Sequence, residues 1–395
     1  MPKRKIAIFT GNRAEYGLQY PIIKAVDVHP KLEYYLLVSG AHLQEDFGYT
    51  VREIEANGFK VYREVKLTMG RDDLFGTVQA IGSGILSLSV ILDELKPDIL
   101  VVYADRFEGF AAVITGTQMG IPTAHIEGGD VTEGGALDDS VRHAMTKLSH
   151  LHFTTNSDAT GRIKKLGEEP WRVHTVGFPA IDLISEKNYA KPEELVVKYG
   201  IDLARPVVLY TQHSIATEFS DAGAQIEPAL QALTRLAKEG VQVIMTFPNN
   251  DAGSGLIIDK LKQAGAEAKQ NIQLHASLGR YNYHGFLAHC GNGGKGVCVG
   301  NSSSGIKETP AFGCPTVNIG DRQSGRLRAE NVLDVGHDAQ AIYRAIRKCI
   351  DNKQFRQRCA TCKNPYGTGD AGKKIADVLA TVPLDLKLLQ KKITY

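Results

Sequence analysis

The sequence predicts an α/β protein built from two Rossmann-like domains, each with a parallel sheet covered by helices. Its 395 residues exceed one ordinary core and suit two domains of this size. Short β-branched runs alternate with amphipathic segments along the chain, which is the βαβ pattern of parallel sheets. The alternation is interrupted after Val173–Gly177 and then starts again, so we place the boundary between the domains near Phe178.

The first half of the chain contains a series of short apolar segments typical of buried strands. In order, they are Ile6–Thr10, Leu32–Val38, Ile99–Tyr103, Pro122–Ile126 and His150–Thr155. Helical periodicity lies between them, in Tyr16–Val28 and around Ser87–Leu95. This half therefore predicts one complete Rossmann-like domain.

The second half repeats the pattern. Its predicted strands are Val207–Tyr210, Val241–Phe247, Ile272–Leu274, Gly296–Val299 and Thr316–Ile319. A final helical segment, Ala371–Leu379, follows a turn at Asn364–Gly367, and composition alone leaves open which half it completes. Ligands of open parallel sheets bind beyond the carboxyl ends of the strands, so residues that follow strands are the functional candidates.

Composition narrows the classes of function. A formal net charge of +2 gives no electrostatic case for nucleic acid or an anionic membrane as a partner. We find no signal-peptide h-region and no stretch of about 18 apolar residues, so we expect no membrane association. All six cysteines lie in the last 106 residues, which is no disulfide framework and indicates a reducing, cytoplasmic location.

Two loops have the composition of an anion site. Gly11–Tyr16 follows the first strand and combines a glycine turn, a helix N-terminus and the charge of Arg13. Gly300–Gly305 precedes a helix predicted to begin near Ile306, and its small residues and three hydroxyls suit a phosphate, with Glu308 placed for ribose hydroxyls. A simple serine cap is the alternative. Neither loop has the dinucleotide fingerprint, and no cofactor is indicated.

Acidic residues follow neighbouring strands of the first half. Asp105 follows the strand that ends at Tyr103, Glu127 follows the next strand, and Asp138 opens a helical segment. Converging carboxylates repel one another, which raises pKa values toward neutrality and suits proton transfer. Each acid alone could equally be a helix cap or a salt-bridge partner, as in the (i, i+3) pair Asp139 and Arg142.

Polar residues also follow two strands of the second half. His213 could donate a hydrogen bond or a proton to a departing phosphate oxygen, although a lone histidine at a strand end is more often structural. Asn249 and Asp251 follow the next strand and could shape the wall of a pocket. No His, Cys or Asp group has metal-ligand spacing, so we predict no obligatory metal.

Together these segments resemble the hydrolysing UDP-N-acetylglucosamine 2-epimerases of sialic-acid-type and legionaminic-acid pathways. The resemblance extends from about Lys5 to about Ala371. Seven matching segments occur in the family's order: Gly11–Tyr16, Asp105–Glu108, His125–Gly129, Asp138–His143, Phe247–Asp251, Gly300–Gly305 and Arg322–Arg326.

The resemblance implies a glycosyltransferase-B-like pair of Rossmann-like domains with the active site in the cleft between them. The N-terminal domain would comprise residues 1–178 with a returning C-terminal helix at about 368–395, and the UDP-binding domain residues 179–367. It further implies a homodimer or homotetramer.

The implied reaction eliminates UDP across C1–C2 to give a 2-acetamidoglycal, and water then adds to release the 2-epimeric sugar. Asp105 and Glu127 match essential carboxylates, which we assign to proton movement at C2, and Asp138 matches a third, which we assign to hydration. His213 would stabilise or protonate the departing UDP. Positions that match UDP contacts are Arg13, Arg106, His213, Asn249, Ser302, Ser303, Glu308 and Arg322.

The chain departs from the family pattern at several positions, and the first of those that follow bears on the substrate. Tyr103-Ala104 stands where many members have His-Gly, so the floor of the pocket differs, and Ser214 replaces a frequent proline. UDP-GlcNAc is the expected substrate, with UDP-N,N'-diacetylbacillosamine as the nearest alternative. A non-hydrolysing epimerase, a glycosyltransferase of the same architecture and a non-catalytic UDP-sugar sensor are further alternatives.

Overall fold

A computed structural model describes residues 2–43, 49–68, 73–131, 137–248, 253–267 and 271–395. The chain divides into two compact units. Unit 1 comprises Met1–Asp130, Leu137–Asp182 and Tyr366–Tyr395, and unit 2 comprises Val131–Ala136 and Leu183–Pro365. Each unit has one parallel sheet with helices connecting its strands, which confirms the predicted α/β class.

Unit 1 contains a seven-stranded sheet in the order β3-β2-β1-β4-β5-β6-β7, parallel throughout. Its strands are β1 (Arg4–Thr10), β2 (Leu32–Ser39), β3 (Val61–Val65), β4 (Ile99–Tyr103), β5 (Thr123–Ile126), β6 (Leu151–Thr154) and β7 (Val173–Thr175). Its helices are α1 (Arg13–Val28), α2 (Val51–Ala56), α3 (Leu74–Leu95), α4 (Phe107–Gln118), α5 (Leu137–Leu148) and α6 (Ser157–Lys165). Separate apolar clusters cover the two faces of this sheet, as βαβ crossovers require.

The C-terminal segment completes unit 1. It forms two helices, α15 (Ala371–Thr381) and α16 (Leu386–Leu389), and α15 packs against α1. Arg4 donates from Nη1 to the carbonyls of Leu379 and Val382 at 2.8 Å, and the fully buried Arg172 donates to the carbonyl of Leu388 at 2.6 Å. Composition left the place of this segment open, and these bonds assign it to the first half.

Unit 2 contains a six-stranded sheet in the order β10-β9-β8-β11-β12-β13, also parallel. Its strands are β8 (Val207–Thr211), β9 (Gln242–Thr246), β10 (Ile272–His275), β11 (Gly296–Gly300), β12 (Thr316–Ile319) and β13 (Val332–Val335). The remaining helices are α7 (Ala180–Ser185), α8 (Pro192–Tyr199), α9 (Ala222–Lys238), α10 (Ser254–Glu267), α11 (Gly279–Cys290), α12 (Ser304–Lys307), α13 (Ala339–Asp351) and α14 (Lys353–Thr361). Two apolar clusters again cover the two faces.

Helix α3 differs from the sequence expectation. It begins at Leu74 and is 22 residues long, whereas only its last part was predicted. Among the described residues, one helix is long and apolar enough to cross a membrane by length and composition, and this helix is α3. The expectation that no such stretch exists was therefore wrong. Gly84 on its inner face lies against Ala111 of α4, where an added Cβ would approach the alanine Cβ to 3.2 Å.

Candidate active site

Each sheet reverses its strand order at one place, and these places locate the site. In unit 1 the order reverses between β1 and β4, and in unit 2 between β8 and β11. Ligands bind at the carboxyl ends of strands at such switch points, because the connecting loops there diverge. The residues concerned are Gly11 and Asp105 in unit 1 and His213 and Asn301 in unit 2.

The strand-end acids of unit 1, Asp105 and Glu127, follow adjacent parallel strands. Tyr103, the last residue of β4, lies beside Ile126, the last residue of β5. Ala104 (φ 54°) and Glu127 (φ 65°) both have left-handed backbone conformations. Such a conformation costs a residue with a side chain about 1–2 kcal/mol. The chain therefore turns sharply at the end of both strands, immediately where the two acids lie.

A hydrogen bond from His125 holds the turn at Ala104, at the end of β4. Its Nε2–H donates to the carbonyl oxygen of Ala104 at 2.6 Å, and its Nδ1 lies 3.1 Å from Oγ1 of Thr146. Burial lowers the pKa of His125 to about 3, so the ring is neutral at pH 7. A carbonyl only accepts, so the proton is on Nε2 and the Thr146 hydroxyl donates to Nδ1. The sequence did not assign His125 a role, because no local pattern reveals this contact.

A buried arginine compensates the charge of two acids. Arg142, whose side chain is 5% exposed, forms an ion pair with Asp105 and donates from Nη1 to Oδ1 of Asp139 at 3.0 Å. The predicted (i, i+3) pair of Asp139 and Arg142 is thus confirmed. Of the three acids expected to converge, Asp105 is thus paired with a cation, which reduces its repulsion toward the other two.

Arg106 is held by the buried carboxylate of Glu108. Its Nε donates to Oε2 at 3.1 Å and its Nη2 to Oε1 at 3.2 Å, while half of the arginine side chain remains exposed. Glu108 lies under Gly11, where an added Cβ would approach the glutamate Cβ to 3.0 Å. The glycine of the first predicted anion loop therefore makes room for the carboxylate that fixes Arg106.

Glu15 stabilises the same loop. Its Oε2 accepts the backbone N–H of Gly11 at 3.0 Å, and its Oε1 accepts a hydrogen bond from Gln19 at 2.8 Å. Burial raises the pKa of Glu15 to about 8, so the protonated form predominates at pH 7. Arg13 is the first residue of α1, whose N-cap Asn12 accepts from the N–H of Glu15 at 3.0 Å. The Arg13 side chain lies outside the described residues.

Two further predicted residues of unit 1 lie near these groups, Tyr103 beside Glu127 and Asp138 beside Arg106. Tyr103 is buried in the core of unit 1, and burial, followed by the nearby Glu127 carboxylate, raises its pKa well above 10. Asp138 lies exposed in the first turn of α5. The phenol is therefore neutral, and Asp138 is accessible to solvent.

In unit 2 the ends of β8 and β11 are joined by one asparagine. The side chain of Asn301 accepts the N–H of His213 at 2.7 Å and donates to the carbonyl of His213 at 2.9 Å. Gly300 (φ 127°) must be glycine, because an added Cβ would lie 1.9 Å from the carbonyl oxygen of Thr211. Arg322 donates to the carbonyl of Asn301 at 3.3 Å. The histidine, the loop and the arginine are thus held together around one residue.

His213 is neutral in this environment. Burial lowers its pKa to about 3, and the nearby Arg322 contributes in the same direction. A neutral imidazole can donate one hydrogen bond to an anion but has no extra proton to transfer. Of the two roles predicted for His213, stabilising an anionic leaving group therefore suits it better than protonating it.

The serine loop does not act as an ordinary helix cap. Ser303 is the N-cap of α12 but makes no side-chain capping bond, and α12 has only four residues. The Ser304 hydroxyl donates to Oε2 of Glu308 at 3.0 Å, so it is already used within the protein. Of the three predicted phosphate donors, Ser302 and Ser303 remain half-exposed.

Two predicted residues, Asn249 and Asp251, lie outside the described residues. Within the described ranges, no group of three or more His, Cys, Asp or Glu side chains is placed to hold a metal ion.

The fold and these strand-end loops define an α/β protein of the glycosyltransferase-B-like class. Residues 24–380 match the model of the UDP-N-acetylglucosamine 2-epimerase family, and the chain belongs to that family. It is 30% identical over 392 residues, 99% of this chain and 100% of the relative, to a hydrolysing UDP-N,N'-diacetylbacillosamine 2-epimerase of Legionella pneumophila. It is 32% identical, over 90% of each chain, to a hydrolysing GDP/UDP-N,N'-diacetylbacillosamine 2-epimerase of Campylobacter jejuni.

A solved structure has the same fold. The crystal structure of UDP-GlcNAc 2-epimerase from Neisseria meningitidis bound to UDP-GlcNAc superposes with a TM-score of 0.79 at 20% identity. The match covers 95% of this chain and 99% of that one. The similarity therefore spans both units.

Proposed function

We propose that this enzyme is a hydrolysing 2-epimerase that converts a UDP-2-acetamido sugar and water into UDP and the free 2-epimeric sugar. The observation that carries the proposal is the pair of strand-end acids, Asp105 and Glu127, at the ends of adjacent strands. A protein that only binds a UDP-sugar has no need of two acids in this position. Membership in the 2-epimerase family supports the same reaction at C2.

The first step is elimination. One strand-end acid, as carboxylate, removes the proton from C2 while the C1–O bond breaks and its electron pair leaves with UDP, giving a C1=C2 double bond. The C2 proton is only weakly acidic, so the step depends on a positioned base and on stabilisation of the departing diphosphate. Neutral His213 donates a hydrogen bond to the departing oxygen, and Arg322 beside it supplies positive charge.

The second step is hydration. Water adds its hydroxyl to C1, and the other strand-end acid delivers a proton to C2 from the opposite face, which inverts that carbon. Asp138 acts in this step as the base that takes the remaining proton of the attacking water, for which its solvent-accessible position in the first turn of α5 is suitable. No oxidant or cofactor is needed, because the proton lost in the first step balances the one gained in the second.

We assign the UDP moiety to residues that lie near the ends of strands. The residues assigned to it are Arg13, Arg106, His213, Asn249, Ser302, Ser303, Glu308 and Arg322. Ser302 and Ser303 contribute hydroxyl donors to the diphosphate, and the bonded pair of Arg106 and Glu108 supplies a guanidinium already held in place. Tyr103 and Asp251 are assigned to the surroundings of the sugar.

The identity of the sugar is the finer part of the proposal. UDP-GlcNAc, which would yield N-acetylmannosamine, is the substrate expected from the sequence. The relatives from L. pneumophila and C. jejuni are both named for N,N'-diacetylbacillosamine, which favours the UDP derivative of that sugar as the better substrate. The two sugars differ at C4 and C6, and C2 chemistry is the same for both.

The experiment that tests this function supplies each UDP-sugar separately in deuterated water, with no acceptor. We expect release of UDP together with free 2-epimerised sugar that carries deuterium at C2, detected by NMR. Release of UDP-linked 2-epimer would instead identify a non-hydrolysing epimerase. Intact nucleotide-sugars after prolonged incubation, with turnover only when an acceptor alcohol is added, would identify a glycosyltransferase and refute the proposal.

We also propose that the enzyme is a cytoplasmic homo-oligomer. On α3, Phe75, Val78, Leu86 and Val90 recur at helical spacing and are 57–74% exposed. A contiguous apolar face of this kind is typical of a protein–protein contact. A second copy of this chain is the partner we assign to it, in agreement with the homodimer or homotetramer expected from the sequence.

A further inference from the structure

His284 is a buried histidine of α11 for which neither the sequence nor the proposed reaction provides a role. Its side chain is 3% exposed, and its Nε2 lies 2.8 Å from Oε2 of Glu308. A carboxylate oxygen accepts, so the Nε2–H donates. His284 therefore contacts directly one of the residues assigned to the nucleotide.

The two carboxylate oxygens of Glu308 are used differently. Oε2 accepts from both His284 and the hydroxyl of Ser304, which lies 3.0 Å away. Among the described residues, no hydrogen bond is made to Oε1. The side chain of Glu308 is 13% exposed. One oxygen is thus fixed inside unit 2, and the other is available to a ligand.

The polar character of His284 is costly where it lies. The ring packs near Phe312, with 5.6 Å between ring centroids, and its Nδ1 is buried without a hydrogen-bond partner in the part of the chain that the structure describes. A buried polar group without a partner destabilises the folded state, so an apolar side chain would be more favourable at this position. The hydrogen bond to Glu308 is the favourable interaction that only a polar side chain can make here.

The same contact keeps Glu308 charged. Burial alone would raise the pKa of this carboxyl, but the hydrogen bonds from His284 and Ser304 outweigh burial and lower it. A charged carboxylate accepts hydrogen bonds more strongly than a neutral carboxyl, and it presents acceptors only. The vicinal hydroxyls of a ribose are two donors that suit such an acceptor.

We propose that His284 is a positioning residue that fixes Glu308 so that its free oxygen accepts hydrogen bonds from the ribose hydroxyls of the bound nucleotide. This inference rests on the proposed function, because it needs a ribonucleotide at Glu308. It predicts that His284 controls discrimination between ribose and deoxyribose, without contact of its own with the ligand.

The test measures the affinities of UDP and 2'-deoxy-UDP by calorimetry for the wild type and two variants. The wild type should prefer UDP by roughly tenfold, the effect of one hydrogen bond to a charged group. His284→Leu should lose most of this preference, because only the Ser304 hydroxyl then holds Glu308. His284→Gln should restore part of it, since its amide can donate to the same oxygen. KM for the UDP-sugar should rise in His284→Leu with little change in kcat.

His289→Leu is the matched control, because His289 lies on the same helix and makes no contact with Glu308. It should keep the wild-type preference. Equal weakening of UDP and 2'-deoxy-UDP in His284→Leu would reveal a merely structural histidine and overturn the inference, as would an unchanged preference in a folded variant. Failure of the wild type to bind UDP at all would instead refute the proposed function. Binding of UDP without any ribose preference would overturn the inference alone.

Discussion

Replacing Asp105 by asparagine is the most direct test of the strand-end acids. The change keeps the shape of the side chain and an oxygen that can accept from Arg142, but it removes the carboxylate charge. A positioned acid or base contributes typically 10²–10⁴-fold to rate, so we expect kcat to fall by about 10³-fold. UDP affinity should be retained, because His213, Ser302 and the other assigned UDP contacts do not depend on this carboxylate.

The magnitude of the stability effect follows from the arginine. Asp105→Asn leaves Arg142 paired with the charged Asp139, so the buried cation keeps partial compensation. Hydrogen bonds to charged groups contribute about 1.5–3 kcal/mol each, which sets the upper limit of the loss in the free energy of unfolding. This loss is smaller than the roughly 3–5 kcal/mol expected for Arg142→Met, which removes the guanidinium from both Asp105 and Asp139.

Asp139→Asn is the matched control. It removes the same charge from the same arginine, but Asp139 lies in α5 and not at a strand end. Single-turnover release of UDP, calorimetric binding of UDP and urea unfolding should be measured on both variants. We expect similar losses of stability and a large loss of turnover only in Asp105→Asn. If both variants lose turnover equally, turnover depends on the ion pairs of Arg142, and the proposed role of Asp105 as a catalytic acid or base is refuted.

Three further predictions concern backbone strain, pH and assembly. Ala104→Gly should raise the melting temperature of unit 1, because glycine adopts the left-handed conformation without strain. Lys96→Gly (φ 49°), at the end of α3, should also raise the melting temperature and should leave turnover unchanged. Burial lowers the pKa values of His125 and His152 to about 3 and about 4, from 6.5. As the pH falls below 6.5, both histidines are protonated in the unfolded chain before they are protonated in the folded one. The free energy of unfolding should therefore fall as the pH drops from 6.5 to 4.5. His152→Gln should make this fall smaller, which thermal scans at each pH would measure. Leu86→Glu should lower the mass measured by light scattering to that of a monomer, and an unchanged mass would exclude the α3 face from the contact.

The sequence predicted the inner strands and the edge strand β10, and it missed the edge strands β3 and β13. β4 and β12 begin and end at the residues predicted, because each is a short run of buried side chains rich in β-branched residues. β3 and β13 were not predicted. Both lie at a sheet edge, and each has charged or exposed residues in its short run, so neither has the apolar pattern of a buried strand.

The site was predicted as far as local pattern extends. An acid that follows a strand and a loop of small residues that precedes a helix are local patterns. They are sufficient to predict Asp105 and Ser302 as site residues. His125 and Glu108 lie within the segments that carry the resemblance, but no local pattern predicts a role for them or for His284. Each acts through a hydrogen bond to a residue 2 to 24 positions away, and the sequence gives no distance between such side chains.

The geometry of the acids in unit 1 is determined by the core of that unit. Left-handed residues at the ends of two adjacent strands together cost about 2–4 kcal/mol, which persists only where neighbouring contacts require it. These contacts are present: His125 donates to the carbonyl of Ala104, and the N–H of Glu127 donates to the carbonyl of Phe153 at 2.9 Å. These two hydrogen bonds fix the turns at Ala104 and Glu127, and the ion pair with Arg142 fixes the side chain of Asp105. Acids held in this way need little reorganisation when charge moves at C2, which is the property that a base for a weakly acidic carbon requires.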